Sequence, residues 1–411
     1  MNRLSFSRIV RVVCLAFSLS LSSLLFFAYA QDAKKTPSSP VPIADDNHVR
    51  ERSEWFLHGR AVPGKSAAEQ RLHAYKTKMQ ARALQQPHAA AAQSSSQSTA
   101  SSATWTPLGP VPLASDATGD GFQDYHQVSG RATAVAIDPA DPTGNTVYIG
   151  GAQGGVWKST NAASATANDV TWTPITDDQA TLSVGSIAIQ PGNSVPANSV
   201  ILVGTGEADN SADSYFGVGI LLSTNAGSSW ALISTANSGA LSFSGLGATQ
   251  IAFSTANTNL VVAAMAATSE GVTDGALTSG TYRGLYTSTN AGQTWTYDTL
   301  FSGGAVEATS ATSVVYNAAA GLFFAAIRYH GFYSSPDGLN WTPLTNQPGS
   351  AGLLSAAACP QNYSTSCPIY RGEITVVPGR NEMYVWFISL DTNNNPVDQG
   401  IWQSQNGGVV S

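Results

Sequence analysis

An acidic segment in the middle of the chain, Glu207-Ala-Asp209-Asn-Ser-Ala-Asp213-Ser-Tyr215, has the residue types of a binding or catalytic site. Three carboxylates beside an aromatic ring can bind a sugar or a cation, or supply a general acid and a general base. A solvated acidic loop is the alternative interpretation, because one sequence does not show that the acids converge. We treat Glu207, Asp209, Asp213 and Tyr215 as candidate ligand-binding residues and leave the catalytic residues unknown.

A second acidic segment begins at Asp116 and carries oxygen-bearing side chains at alternating positions around a glycine. Such a pattern is what Ca²⁺ needs. Thr118 stands where an acid is expected, and Gln127 stands where a bidentate glutamate is expected. An acidic turn is therefore the default interpretation. Asp116, Asp120 and Asp124 are the candidate ligands, and Ca²⁺ is the one cofactor that the sequence suggests.

Basic side chains are scarce in the same region. The chain has a formal net charge of −7, and only six of its 19 Lys and Arg residues follow Trp105. An acidic surface repels phosphate backbones and anionic lipid headgroups, so nucleic acid and membrane surfaces are disfavoured as partners. Arg283 and Arg328 lie at the ends of predicted strands, from which they can point inward, and both are candidate ligand-binding residues.

The elements that must position these residues are indicated by a repeated octet. Ser223-Thr-Asn225-Ala-Gly227-Ser-Ser-Trp230 recurs as Ser288-Thr-Asn290-Ala-Gly292-Gln-Thr-Trp295. A glycine tolerates the positive φ of a tight hairpin, and an asparagine oxygen can accept from backbone amides two residues on. The tryptophan can lie under the hairpin as an apolar plug. The octet therefore predicts a stabilised turn and does not itself require catalysis.

Imperfect copies of the octet flank these two. The first, beginning at Ser159, reaches Trp172 only after an insertion, and the last, Ser404–Ser411, ends in serine where tryptophan is expected. A copy beginning at Ser334 has its acid shifted by one position. The residues predicted to be structural in these turns are Ser159, Asn161, Ser223, Asn225, Gly227, Trp230, Ser288, Asn290, Gly292, Trp295, Asp337, Gly338 and Trp341.

This pattern resembles the Asp-box, or BNR repeat, of sialidases, xyloglucanase-type glycosidases and sortilin-like proteins. The resemblance implies an all-β fold, a β-propeller of four-stranded blades with the boxes between third and fourth strands. The resemblance also implies that an active enzyme of this group would carry particular catalytic segments, and two of these are missing here. The Arg-Ile-Pro segment of sialidases is absent, and residues 150–158, where xyloglucanases are expected to carry an aspartate, contain no acid.

Alternating short strands and glycine turns after Trp105 predict five blades, from Ala132–Asp138 in the first to Gly400–Gln403 in the fifth, which lacks a fourth strand. Thr104-Trp-Thr-Pro-Leu108 repeats the fourth-strand sequences although it precedes the first blade. It predicts a strand that either completes a five-bladed ring or belongs to a larger ring. We favour the larger ring, because the last octet is interrupted inside its own turn.

The predicted domain organisation has three parts. Residues 1–30 read as a secretory signal peptide with an Ala-x-Ala cleavage site, which predicts a secreted, periplasmic or cell-surface protein without an integral membrane segment after cleavage. Residues 31–103 predict a helical arm from Ser66 to about Gln86 followed by a low-complexity linker, with a cleaved pro-segment as the alternative. Residues 104–411 are predicted to form the propeller, incomplete at its C-terminal end, in which Cys359 and Cys367 predict one local disulfide, with free thiols or a metal pair as the alternatives.

Together these observations favour an exported, non-catalytic propeller that binds a glycan or protein ligand through its loops. The alternative is a glycoside hydrolase, xyloglucanase- or sialidase-like, that uses loop carboxylates and has part of its site beyond residue 411. A structural or adhesive surface component is a third interpretation.

Overall fold

A computed structural model describes residues 67–91, 113–114, 127–128, 130–208, 214–273, 282–300, 309–344, 369–390 and 396–406, all within the unit Val62–Ser411. The predicted signal peptide, the Trp105 strand, the Ca²⁺ candidates Asp116, Asp120 and Asp124, and the cysteine pair lie outside these residues and stay predictions.

The predicted arm helix, α1, spans Ala67–Ala91 and so continues past Gln86, its predicted end, and through Pro87. The three alanines that follow His88 are the strongest helix formers, which explains why the helix extends into the low-complexity tract. Leu72 and Tyr75 are half-buried, whereas Met79 is exposed, so the apolar stripe is confined to one turn.

Five larger sheets follow in chain order in the described part of the chain: three have four antiparallel strands, the fourth has five strands and the last has three. The first contains β3 (Ala132–Ile137), β4 (Val147–Gly151), β5 (Gly155–Ser159) and β6 (Thr173–Pro174). The second contains β7 (Val184–Ile189), β8 (Ile201–Thr205), β9 (Ile220–Ser223) and β10 (Ala231–Ile233). The third contains β13 (Leu246–Phe253), β14 (Val261–Ala267), β15 (Gly284–Ser288) and β16 (Thr296–Tyr297).

The fourth sheet contains β18 (Ala311–Asn317), β19 (Leu322–Ile327), β20 (Gly331–Ser335) and β21 (Asn340–Pro343). The fifth contains β22 (Arg371–Val376), β23 (Met383–Leu390) and β24 (Pro396–Ser404). The smaller elements are β1 (Leu113–Ala114), β2 (Gln127–Val128), β11 (Thr235–Ala236), β12 (Leu241–Ser242), α2 (Ser269–Thr273) and β17 (Thr299–Leu300), which pairs in parallel with β21.

Within each sheet the strands pair in sequence order, and the first strands of successive sheets lie side by side. Each strand predicted from Ala132 onward overlaps an observed one, and the β-propeller prediction is confirmed. The outer strands are short: β6 spans only Thr173–Pro174, because the Thr171 amide is used by the preceding hairpin in a bond to Asn161 Oδ1.

The sheets pack face to face through apolar side chains, since side chains alternate between the two faces of each strand. The cluster between the second and third sheets includes Leu202, Phe243 and Tyr286, and the cluster between the third and fourth includes Val262 and Phe323. The outward face of the first sheet is different. Val135 is 68% exposed and Ile137 63% exposed, so no described element covers this face.

A bulge recurs at the start of four first strands, where the register shifts around Thr133, Gly185, Thr249 and Thr312. Each threonine hydroxyl donates to a backbone carbonyl of the next sheet. The acceptors are Val184 O at 2.6 Å from Thr133, Ala311 O at 3.0 Å from Thr249, and Gly372 O at 2.8 Å from Thr312. One position in the repeat thus joins neighbouring sheets.

Candidate functional site

The strand order divides the connections between two edges of the sheets. Links from second to third strands, and from each sheet to the next, lie at one edge, which we call the loop face. Links from first to second and from third to fourth strands lie at the opposite edge, which we call the hairpin face. The repeated octets belong to the hairpin face, and Glu207 and Tyr215, the two ends of the acidic segment, belong to the loop face.

The hairpin of the third sheet shows how an octet is used. Ser288 Oγ donates to Asn290 Oδ1 at 2.8 Å and accepts from Gly292 N at 2.9 Å, and Asn290 Oδ1 also accepts from Thr294 N at 2.9 Å. Ala291 and Gly292 both have positive φ, at 56° and 87°. The polar atoms of the octet therefore bond within the turn itself.

The second sheet repeats this geometry through Ser223, Asn225 and Gly227. In the first sheet Asn161 Oδ1 still reaches Thr171 N at 2.9 Å across the insertion. In the fourth sheet the serine that bonds Asp337 Oδ1 and Gly338 N is Ser335, because this turn is one residue shorter than the octet counted from Ser334.

Tryptophans anchor these hairpins, though in different ways. Trp295 is buried and donates through Nε1 to Gly292 O at 3.0 Å within its own turn. Trp341 is buried too, and its Nε1 bonds both Gly338 O at 2.9 Å and Asp298 Oδ2 of the third sheet at 3.1 Å. Trp230 donates to Ile175 O at 2.8 Å. The tryptophans therefore serve packing within and between sheets.

On the loop face, Glu207 and Tyr215 form an antiparallel bridge with backbone bonds of 3.0 and 2.8 Å. Asp209 and Asp213 lie outside the described residues. The Glu207 carboxylate is largely buried and accepts from Arg131 Nη2 at 2.9 Å, and the Arg131 guanidinium lies 5.6 Å from the Tyr215 ring centroid. Glu207 thus belongs to an ion pair that joins the first and second sheets.

The third sheet adds a carboxylate that the sequence pattern did not single out. Glu270, in α2, accepts from Phe216 N through Oε2 at 2.8 Å, and its own amide donates to Ser214 O at 3.3 Å. Ser214 Oγ accepts from Ser269 N at 2.6 Å. These bonds hold α2 against the base of the 207–215 segment.

A cavity of about 350 Å³ opens on the loop face between these segments, and we call it the Ser183 pocket. Its polar lining residues are Gln153, Asp177, Gln179, Thr181, Ser183, Tyr215 and Glu270. A larger groove of about 730 Å³ adjoins it at Gln153 and Tyr215 and continues along Trp157 and Trp172. Of these residues, only Tyr215 was singled out as a ligand-binding candidate by sequence.

The two candidate arginines meet two tyrosines farther along the loop face, and we call Arg283, Arg328, Tyr329 and Tyr370 the arginine–tyrosine cluster. The Arg328 guanidinium lies 4.1 Å from the Tyr370 ring centroid and 5.0 Å from that of Tyr329. Its Nε is buried and has no hydrogen-bond partner among the described residues. Burial and the nearby Arg328 charge lower the pKa of Arg283.

The backbone at this cluster is unusual. Tyr329 has a φ of 66°, a conformation that costs free energy in a bulky residue and is concentrated at functional sites. Next to it, His330 is 1% exposed, and neither of its ring nitrogens has a hydrogen-bond partner among residues placed in the structure. Burial lowers the pKa of His330 and favours its neutral form.

No group of three or more His, Cys, Asp or Glu side chains suited to a metal occurs among the described residues. In the same part of the chain, no helix combines the length and apolar character needed to span a bilayer.

Antiparallel four-stranded sheets arranged in series, with turn-stabilising hairpins at one edge and charged and aromatic loops at the other, define the protein as a β-propeller. No protein-family model matches the chain, and no curated protein matches it.

Solved structures do match. A GH74 xyloglucanase from Xanthomonas campestris is 17% identical with a TM-score of 0.40, over 66% of this chain and 36% of that one. PorZ, a bacterial surface component of the type-IX secretion system of Porphyromonas gingivalis, is 14% identical with a TM-score of 0.36, over 64% of this chain and 33% of that one. A complex of KlAtg21 with the coiled coil of AgAtg16 is 9% identical with a TM-score of 0.31, over 67% and 72%. The chain thus spans about a third of the first two proteins, and these scores are too low to transfer a function.

Proposed function

We propose that the protein is an exported β-propeller of the Asp-box type that binds a glycan with an anionic group through its loop face, without catalysis. The observation that carries the proposal is the placement of candidate ligand residues. Glu207, Tyr215, Arg283 and Arg328 all lie at the loop face, whereas the octet residues are used in turns at the hairpin face. The candidate ligand residues and the turn-forming octets therefore occupy opposite edges.

The arginine–tyrosine cluster supports an anionic ligand. Burial, and after it the charge of Arg328, lower the pKa of Arg283, so its charged form is destabilised; an oxyanion beside the two guanidinium groups would stabilise both charges. Stacking on Tyr370 fixes the plane of the Arg328 guanidinium, which orients its donors before a ligand arrives. Aromatic rings beside the donors also provide apolar surface for a sugar ring.

The test is a calorimetric titration of the purified protein with trigalacturonate, which carries carboxylates, and with cellotriose, which does not. We expect Arg328→Ala to weaken trigalacturonate binding by about 1.5–3 kcal/mol, the range for hydrogen bonds to charged groups. Arg328→Lys keeps the charge but loses the stacked plane and should recover only part of the affinity. Arg380→Ala is the matched control, because Arg380 is exposed, pairs with Glu382 and lies at the hairpin face.

Equal losses in Arg328→Ala and Arg380→Ala would show that general charge, and not the cluster, attracts the ligand. Absence of saturable binding to either saccharide would overturn the glycan proposal. Export has its own measurement: N-terminal sequencing of protein recovered outside the cytoplasm should begin at Gln31.

A glycoside hydrolase is the second candidate, and one observation favours it. Asp177 and Glu270 line the same pocket, and a pair of carboxylates is the usual requirement for glycosidic bond hydrolysis. Release of reducing ends from trigalacturonate or cellotriose, lost in both Asp177→Asn and Glu270→Gln, would establish the hydrolase and reject the non-catalytic proposal.

A further inference from the structure

We propose that the Ser183 pocket is a subsite for one neutral sugar ring, recognised through its hydroxyl groups. The inference rests on the proposed function of the loop face and adds a second contact region to it, separate from the arginine–tyrosine cluster. The first evidence is Ser183 itself. Residue Ser183 is 4% exposed and lines the pocket, and its Oγ is buried without a hydrogen-bond partner among the described residues.

An unpartnered buried hydroxyl destabilises a folded protein, since it has given up its bonds to water without replacement. The backbone around Ser183 is well satisfied: its amide donates to Thr181 Oγ1 at 3.1 Å, and its carbonyl accepts from Gly206 N at 2.9 Å. The side-chain hydroxyl is the exception in an otherwise bonded turn. A ligand hydroxyl in the pocket supplies the missing partner.

The pocket wall has the chemistry that a sugar requires. Carboxylates of Asp177 and Glu270 and the side-chain amide of Gln153 provide acceptors for hydroxyl protons. Phe216 and Val218 provide apolar surface for the C–H face of a pyranose ring. An alternation of apolar wall and a few fixed polar groups is characteristic of small-molecule sites.

The wall is also fixed in position before a ligand binds. The Glu270 carboxylate is held by Phe216 N, and Tyr215 is held by its backbone bridge to Glu207. Groups that are ordered in advance lose less entropy on binding. The pocket therefore needs no closing movement to present its acceptors.

Volume limits the ligand. About 350 Å³ lies near the lower end of the range for small-molecule sites, which suits one ring and not a long oligomer. The adjoining groove of about 730 Å³ begins at Gln153 and Tyr215, so further rings continue toward Trp157 and Trp172. The geometry therefore points to the end of a saccharide chain in the pocket.

The experiment measures binding of methyl glucopyranoside, methyl galactopyranoside and cellobiose to the full chain by ligand-observed NMR titration, with melting curves for each variant. Ser183→Ala removes one hydrogen bond to an uncharged group, so we expect the Kd of the bound saccharide to rise about 2- to 12-fold. Its melting temperature should stay the same or rise, because no protein partner is lost. Asp177→Ala should also raise the Kd.

Two matched controls separate this role from a structural one. Ser186→Ala removes a hydroxyl of β7, the strand that begins one residue after Ser183, and this hydroxyl accepts from Ile251 N at 2.9 Å. The substitution should lower the melting temperature without changing the Kd. Asp169→Ala removes an exposed acid from the hairpin face of the first sheet and should change neither the melting temperature nor the Kd.

If none of the three neutral saccharides binds while trigalacturonate still binds through Arg328, the subsite is rejected and the proposed function stands. If no saccharide binds at all, both are rejected. A Kd unchanged in Ser183→Ala, or a melting temperature lowered as much as in Ser186→Ala, would also overturn the assignment, because either result makes the hydroxyl structural.

Discussion

The buried carboxyl of Asp298 allows a quantitative test of how adjacent sheets are joined. Asp298 is 2% exposed, and its Oδ2 accepts from Thr287 Oγ1 at 2.8 Å and from Trp341 Nε1 at 3.1 Å. Its Oδ1 is buried without a hydrogen-bond partner among residues that the structure places. Burial raises the pKa of Asp298 well above 3.8, and the two hydrogen bonds oppose that rise only in part.

Because the folded-state pKa of Asp298 is raised, its contribution to stability is complete below pH 3.8 and is lost as pH rises toward the folded pKa. The loss from one proton has a slope of about 1.4 kcal/mol per pH unit. Asp298→Asn keeps an acceptor oxygen at this position and cannot ionise. The free energy of unfolding of wild type relative to Asp298→Asn should therefore fall with this slope above pH 4.

Asp298→Ala gives the cost of losing both hydrogen bonds. Each contributes about 0.5–1.5 kcal/mol, so the loss should be about 1–3 kcal/mol at pH 4. Larger values are not expected, because Trp341 Nε1 and Thr287 Oγ1 also bond Gly338 O and are not left without partners. Urea unfolding from pH 4 to 8, followed by tryptophan fluorescence, measures both variants. Parallel pH profiles of wild type and Asp298→Asn would refute the assigned ionisation behaviour.

Three further predictions concern stability. Asn290→Ala should cost about 1–2 kcal/mol in urea unfolding, because the turn loses a side-chain acceptor of the kind that caps provide, whereas Asn290→Asp keeps it. Gly185→Ala should cost about 1–3 kcal/mol or more, because a Cβ there would lie 2.2 Å from Ala248 O, whereas Gly130→Ala meets nothing within 4 Å and should be neutral. For His330, burial lowers the folded pKa, so wild-type stability should fall as pH drops below 6.5, and His330→Phe should remove that fall in urea midpoints measured from pH 5 to 8.

Each of these has a contrary outcome. Equal stability of the Asn290→Ala and Asn290→Asp proteins would show that the asparagine oxygen does not hold the turn. A tolerated alanine at position 185 would mean that the second and third sheets are farther apart than the structure places them. If the stability of His330→Phe still falls as pH drops below 6.5, the fall is caused by the titration of another group.

The strands and hairpins were predictable because their signals are local. Alternation of apolar residues marks a strand within five or six positions, and a glycine with an asparagine two residues earlier marks a turn. The use of Ser335 instead of Ser334 in the fourth hairpin could also have been predicted. The two serines are adjacent and differ only in their spacing to Trp341.

The site was less accessible, because its residues meet only through the arrangement of sheets. Glu270 and Ser183 are separated by many residues and join one pocket through connections from different sheets. A lone histidine such as His330 has no spacing that distinguishes it from a surface residue. The inter-sheet threonines did have a signal: Thr133, Thr249 and Thr312 each precede the apolar alternation of a first strand.

The threonines at the β-bulges have a consequence for how the protein unfolds when it is pulled by a mechanical force. Each hydroxyl links a sheet only to its neighbour, from Thr133 to Val184, from Thr249 to Ala311 and from Thr312 to Gly372. When repeats contact only their neighbours, the free energy of unfolding is approximately a sum of terms for single repeats and for the interfaces between neighbours. Pulling on the ends should therefore extend the molecule in steps of one repeat, and weakening one link should lower the force of one step without changing the others.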